Sequence, residues 1–206
     1  MAPPLTRGLA RYFDKPGYLA FRGAVFLSIF GNPFPPLTEA VAKFQKEQLA
    51  PKYVAVHLRE LDPYTARWVG GIRKRGEAIR KDMYQQFYMS PEYVGGQRKT
   101  AGLESAPIFL GTDNHRQNLT EALVNELGAR QFSSVGYAML ADTPDTLVFA
   151  SPEQRMMMDE ITVDFLLMMD STLFIGNDAS TVSWNVVSER RIRGVFADNV
   201  HGPDKR

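Results

Sequence analysis

Residues Asp159 to Arg191 read DEITVDFLLMMDSTLFIGNDASTVSWNVVSERR. In the first part Ile161, Phe165, Leu166, Met168 and Met169 stand with only Asp159, Glu160 and Asp164 charged, which predicts a mostly buried helix of about three turns. Leu173 to Ile175 follows as a short apolar strand. Gly176, Asn177 and Asp178 form a turn signal, and Ser180 or Thr181 can cap a second helix that runs through Trp184 and Val187 to Arg191. A strand that turns directly into a capped helix builds an anion site. The first N–H groups of a helix have no internal partner and lie at the positive end of its dipole, and hydroxyls of Ser and Thr add further donors. The same pattern also describes an ordinary serine-capped corner, so the rest of the chain has to choose between the two.

The chain of 206 residues is 44% hydrophobic and 23% charged, which suits one domain with a core of its own. A formal net charge of +1 gives no reason to expect a nucleic-acid or membrane partner, and any basic site must be local. No apolar run approaches the length of a membrane span, and the start, MAPPLTRGLARYF, lacks the apolar core of a signal peptide, so the expectation is a soluble chain. The absence of cysteine excludes disulfides, thiol catalysis and cysteine-ligated metals. His57, His115 and His201 are scattered rather than spaced as metal ligands, and no D-x-D pair is present to hold a divalent metal on a sugar diphosphate. The expectation is therefore no metal and no cofactor, with a phosphate neutralised by arginine and helix dipole instead.

Upstream, Tyr18 to Phe30 is apolar and aromatic and ends at a proline cluster, Pro33, Pro35 and Pro36, read as a loop. Thr38 opens an amphipathic helix that should end near Pro51. Tyr53 to Leu58, YVAVHL, reads as a buried strand of a parallel sheet, and His57 and Arg59 fall at its carboxyl end, where open α/β sheets bind ligands. Asp62 to Thr100 reads as a polar insertion with paired glycines and a basic cluster of Arg73, Lys74, Arg75, Arg80 and Lys81. Pro107 to Leu110 is a second buried strand, followed by the polar switch Gly111 to Asn114 and a helix ending near Gly128. Phe132 to Met139 and Leu147 to Ala150 are weaker strand candidates. Strands alternating with helices predict an α/β fold with a largely parallel sheet. Neither G-x-x-x-x-G-K-[ST] nor G-x-G-x-x-G occurs.

These stretches resemble a family, the fucosyltransferases that share a GDP-binding Rossmann-like domain, and most closely the protein O-fucosyltransferases acting on EGF-like repeats. Tyr53 to Arg59, YVAVHLR, is similar to that family's strand ending in H-x-R, Phe87 to Gly95, FYMSPEYVG, to the segment after it, and Ile108 to Asp113, IFLGTD, to its strand ending in Thr-Asp. Asp164 to Arg191 is similar to a stretch with a spaced aspartate, F-I-G-N and a serine pair, and Tyr18 to Ala24 more loosely to an L-A-F-x-G-A segment. The family's cysteines are absent, its second serine is Thr181 here, and the aromatic after it is Val182.

The resemblance spans Tyr18 to Arg191 and implies a Rossmann-like three-layer domain, residues 18–206 after a poorly defined segment 1–17, equivalent to the carboxy-terminal half of a GT-B glycosyltransferase. It implies that Arg59 binds the β-phosphate of GDP-fucose and is the catalytic group, with His57 near the nucleoside, Asp113 near the ribose, Asp164 on guanine, and Ser180 and Thr181 on phosphate. It also implies a protein or glycan acceptor and, if the chain belongs to a longer secreted protein, the endoplasmic reticulum lumen or secretory pathway. The chemistry suits these roles. A planar guanidinium holds a diphosphate bidentately, and a carboxylate accepts from the N–H edge of guanine. Three functions follow as expectations: metal-independent, inverting transfer of fucose from GDP-fucose to a protein hydroxyl, a nucleotide-sugar-binding module without turnover, or an α/β interaction domain in which the matching residues are structural.

Overall fold

Val54 to Leu58 is buried at every position, as a β-branched run between two covering layers must be. It forms β1, an interior strand of the sheet. The computed structural model describes residues 35–58, 89–112, 117–132, 152–177, 180–195 and 197–201. Along these the chain forms α1 (Pro35–Gln48), β1 (Val54–Leu58), α2 (Pro91–Thr100), β2 (Ile108–Thr112), α3 (Gln117–Leu127), α4 (Pro152–Asp170), β3 (Leu173–Asn177), α5 (Thr181–Ile192) and β4 (Asp198–His201). The strands make one four-stranded sheet in the order β2-β1-β3-β4. Each of its pairings is parallel, with Val54 opposite both Ile108 and Leu173. The segments 1–17 and Tyr18 to Phe30, the basic cluster and the strand candidates beyond Phe132 lie outside the described residues.

Alternation along the strands sorts the core into two layers. On one face Ala55, Phe109 and Phe174 pack with Phe44 of α1, Val163 and Leu167 of α4 and Val186 and Val187 of α5. Phe44 meets Phe109 and Phe132 edge-on, with ring centroids 6.0 and 5.5 Å apart. On the other face Val56, Leu58, Ile108, Leu110 and Ile175 pack with Val94 of α2 and Leu123 of α3. The fold is α/β, a parallel sheet between two helical layers. Each fully buried large side chain contributes roughly 1.5 to 3 kcal/mol.

Several elements differ from the sequence expectation. Pro35 and Pro36 form the first turn of α1 rather than a loop, because proline has no N–H to leave unbonded there. The polar insertion contains α2. Ser90 caps it by accepting from the N–H of Tyr93 at 3.2 Å, Pro91 starts it, and Arg98 and Lys99 lie in its last turn. These features and the burial of Val94 offset Gly95 and Gly96, each of which costs a helix about 1 kcal/mol. Helix α4 spans 19 residues, longer than expected. Gly176 and Asn177 belong to β3 rather than to the turn. Strand β4 was not anticipated: it is four residues long, D-N-V-H, and has no apolar alternation. Among the described residues no helix is long and apolar enough to cross a membrane.

Candidate functional site

The order of the strands creates one crevice. From β1 the chain moves outward to β2, then returns to the far side of β1 for β3 and continues to β4. The β1/β3 boundary is thus the point where the winding reverses, and in such sheets ligands bind beyond the carboxyl ends of the strands at that point. His57 lies in the last turn of the pleat of β1, and Gly176 is one residue past Ile175, the partner of Val56. Helix α5 starts directly after this strand end.

Ser180 is the cap of α5, which resolves the choice between Ser180 and Thr181. Its backbone is extended at φ −97°, ψ 124°, and its Oγ accepts from the N–H of Ser183 at 3.4 Å. Thr181 is the first helical residue. A serine oxygen that accepts from a main-chain N–H still has its own hydrogen to donate. The Ser180 side chain therefore both stabilises the helix start and retains a donor.

His57 is buried, 5% exposed, rather than projecting from the strand end. Its Nδ1 lies 2.8 Å from Oγ of Ser183, across 126 residues of sequence. Ser183 is a residue that sequence reasoning missed; its spacing three positions after the cap is the only signal, and that spacing serves the helix. The bond ties the end of β1 to the first turn of α5, so the strand end and the positive helix end meet at the crevice.

Two glycines let the helices come this close. On the face of the sheet shared with His57, Gly111 is its register partner in β2. A Cβ on Gly111 would lie 3.2 Å from Sδ of Met168 and 3.6 Å from Oδ2 of Asp164. A Cβ on Gly176 would lie 2.6 Å from Cε1 of Phe174 and 3.0 Å from Cβ of Ser183. The partly exposed carboxylate of Asp164, on α4, thus reaches the end of β2 beside the row that holds His57. The structure brings His57, Asp164, Ser180 and the start of α5 to the same end of the sheet. Arg59 and Asp113 lie outside the described residues, each one position past the end of its strand. Among the described residues no three His, Asp or Glu side chains cluster as metal ligands would.

No family model and no curated protein matches this chain. Among solved structures it is similar to the crystal structure of protein O-fucosyltransferase 1 (POFUT1) in complex with GDP-fucose, at 22% identity and a TM-score of 0.51, covering 81% of this chain and 46% of that one. The apo form and a complex with GDP, each 22% identical over the same shares, give TM-scores of 0.48 and 0.47. The likeness is one of fold: an α/β architecture with a parallel sheet between helical layers. It spans a little under half the length of the structures it matches.

Proposed function

We propose that residues 18–206 are the GDP-fucose-binding domain of a metal-independent, inverting fucosyltransferase that modifies a hydroxyl of a protein acceptor. The observation that carries this reading is the bond between His57 and Ser183 at the switch point. It unites the strand end that leads into Arg59 with a serine-capped helix start, the combination that an anionic diphosphate requires. The fold likeness to POFUT1 in complex with GDP-fucose supports the same reading.

In this account GDP lies across the carboxyl ends of β1 and β3. Asp164 accepts from N1–H and the amino group of guanine, which suits guanine and repels the carbonyl edge of uracil. Asp113 contacts the ribose and His57 lies close to the nucleoside. Ser180, Thr181 and the first turn of α5 hold phosphate oxygens, and Arg59 grips the β-phosphate with both arms of its guanidinium. During transfer the acceptor oxygen bonds to C1 of fucose from the face opposite GDP. The bond from C1 to the β-phosphate oxygen breaks, its electron pair leaves with GDP, and the acceptor's proton passes to solvent or a base. Arg59 and the helix dipole neutralise the charge that builds on the leaving phosphate, so no divalent cation is needed.

Thermal unfolding with GDP or GDP-fucose, in EDTA and again in Mn²⁺, tests the donor site; stabilisation should be the same in both. Stabilisation that appears only with Mn²⁺ overturns the arginine-and-dipole account. Arg59→Lys should weaken GDP more than guanosine, by about 1 to 3 kcal/mol, since the bidentate fork is lost while the base contact stays. Equal losses for both ligands would make Arg59 structural. A second reading is a nucleotide-sugar-binding module without turnover. Labelled GDP-fucose separates the two: binding without transfer or hydrolysis favours the module.

A further inference from the structure

Helix α3 contains the run Asn118-Leu119-Thr120, followed by Glu121. Asn-x-Thr without proline at the middle position is the acceptor sequence for an N-linked glycan. The two residues that define it have opposite surroundings. Asn118 is exposed, whereas Thr120 is buried, at 7% exposure. Positions two apart on an α-helix lie about 200° around its axis. Leu123 rather than Asn118 therefore shares a face with Thr120, and Leu123 belongs to the second core. Thr120 Oγ1 is buried with no hydrogen-bond partner among the described residues. A hydroxyl taken out of water unpaired costs stability, and valine would fill nearly the same space without one. The fold gives no reason for threonine at 120. The chain before folding does, because a transferase that recognises this sequence needs the hydroxyl together with the asparagine.

We propose that Asn118 carries an N-linked glycan, added before the domain folds. In that step Nδ2 of Asn118 bonds to C1 of the first sugar of a lipid-linked oligosaccharide. The bond from C1 to the pyrophosphate oxygen breaks, its electron pair leaves with the lipid pyrophosphate, and Nδ2 gives one proton to a base of the transferase. An unfolded chain can present Asn118 and Thr120 together. The finished helix cannot, since it turns one outward and the other into the core. Folding then closes the sequence to further modification and leaves the glycan on the solvent side of α3. The inference places the chain in a compartment where such glycans are added, and it is independent of what the crevice binds.

The test is mass spectrometry of the Asn118 peptide from the full chain isolated from its own cells, before and after peptide N-glycosidase. The peptide should carry a glycan and, once released from it, should show aspartate at 118. An unmodified peptide overturns the proposal. Timing is read in microsomes, with the full chain placed behind a secretory signal. Chain translated into them should be glycosylated, and folded chain added after they are opened with detergent should not. Modification of neither, or equal modification of both, overturns the proposal. Asn118→Gln and Thr120→Val should abolish the glycan, and Thr120→Ser should keep it. Unglycosylated Thr120→Val should also unfold at a higher urea concentration than unglycosylated wild type. An equal or lower midpoint would show that the hydroxyl serves the fold, and would overturn the assignment of Thr120 to the unfolded chain.

Discussion

Arg190 Nη1 donates to the main-chain carbonyl of Met169 at 2.8 Å, from a side chain with no exposed surface. The same guanidinium reaches Oγ of Ser171 at 3.0 Å and, through Nη2, the carbonyl of Ala197 at 2.9 Å. One side chain of α5 thus holds the end of α4, the approach to β3 and the approach to β4. A cation is well placed there, because the last carbonyls of a helix have no internal partner and carry its negative end.

Arg190→Leu should therefore destabilise the domain by about 2 to 4 kcal/mol, through buried carbonyls left without donors. Arg190→Lys should recover part of this, as a single ammonium cannot span the same acceptors. Urea unfolding of the three proteins measures both; a loss below about 1 kcal/mol for Arg190→Leu would mean that these carbonyls find other donors.

Gly176→Ala should cost more than Gly111→Ala. The first drives a methyl to 2.6 Å from the buried ring of Phe174, whereas the second presses at 3.2 Å on the sulfur of Met168. A packed ring moves less readily than a thioether, so about 1 to 3 kcal/mol is expected at Gly176 and under about 1 kcal/mol at Gly111. Gly176→Ala should also push Ser183 off His57 and lower GDP affinity. Equal stabilities of the two variants would refute the packing argument.

Tyr53 ties three elements together. Its hydroxyl donates to the carbonyl of Leu167 at 2.6 Å and accepts from Nε2 of Gln45 at 3.1 Å. Burial raises its pKa above the ordinary value of 10.0, assisted by Asp170 and opposed by the Gln45 hydrogen bond and by Arg190. A raised folded-state pKa means that the unfolded chain ionises first. The stabilisation is complete below the unfolded value, near pH 10, and is lost as pH rises above it, by about 1.4 kcal/mol per unit. Tyr53→Phe should cost about 1 kcal/mol at pH 7 and lose less stability than wild type between pH 9 and 11. Parallel alkaline slopes for the two proteins would contradict this.

Asp164→Asn tests base choice. The amide still accepts once but sets a donor against a donor on guanine, so GDP should lose roughly 1 to 3 kcal/mol while UDP and ADP lose little. Calorimetric affinities for the three diphosphates decide, with melting of the ligand-free proteins as the control for folding. A uniform drop, or none, would remove Asp164 from the site; a less stable empty fold with unchanged preference would make its carboxylate structural.

The legible parts of this chain were those written in local pattern. Val54 to Leu58 and Ile108 to Leu110 are apolar runs that only a doubly covered strand needs, and Ser180 followed by a helical apolar stripe announces a helix start. Helix α2 was hidden because Gly95 and Gly96 break the pattern that Ser90, Pro91 and Val94 set. Strand β4 was hidden because a short edge strand is held by main-chain pairing to Phe174 through Asn177, which no side-chain alternation records.

The sequence by itself determined that the chain is α/β, which runs are strands, and that polar residues collect where those strands end. The tertiary structure alone decided which strand ends meet. Periodicity states that a face is buried but not against what, so the order β2-β1-β3-β4, and with it the crevice beside β1, depends on how two separate cores pack. The same holds for the glycines at 111 and 176, whose lack of a side chain matters only because α4 and α5 lie against them, and for Arg190, whose acceptors lie at the end of α4 and in the approaches to β3 and β4. A hydrogen bond between His57 and Ser183, 126 residues apart, is a product of that packing, since loop closure and burial rather than local preference bring such residues together.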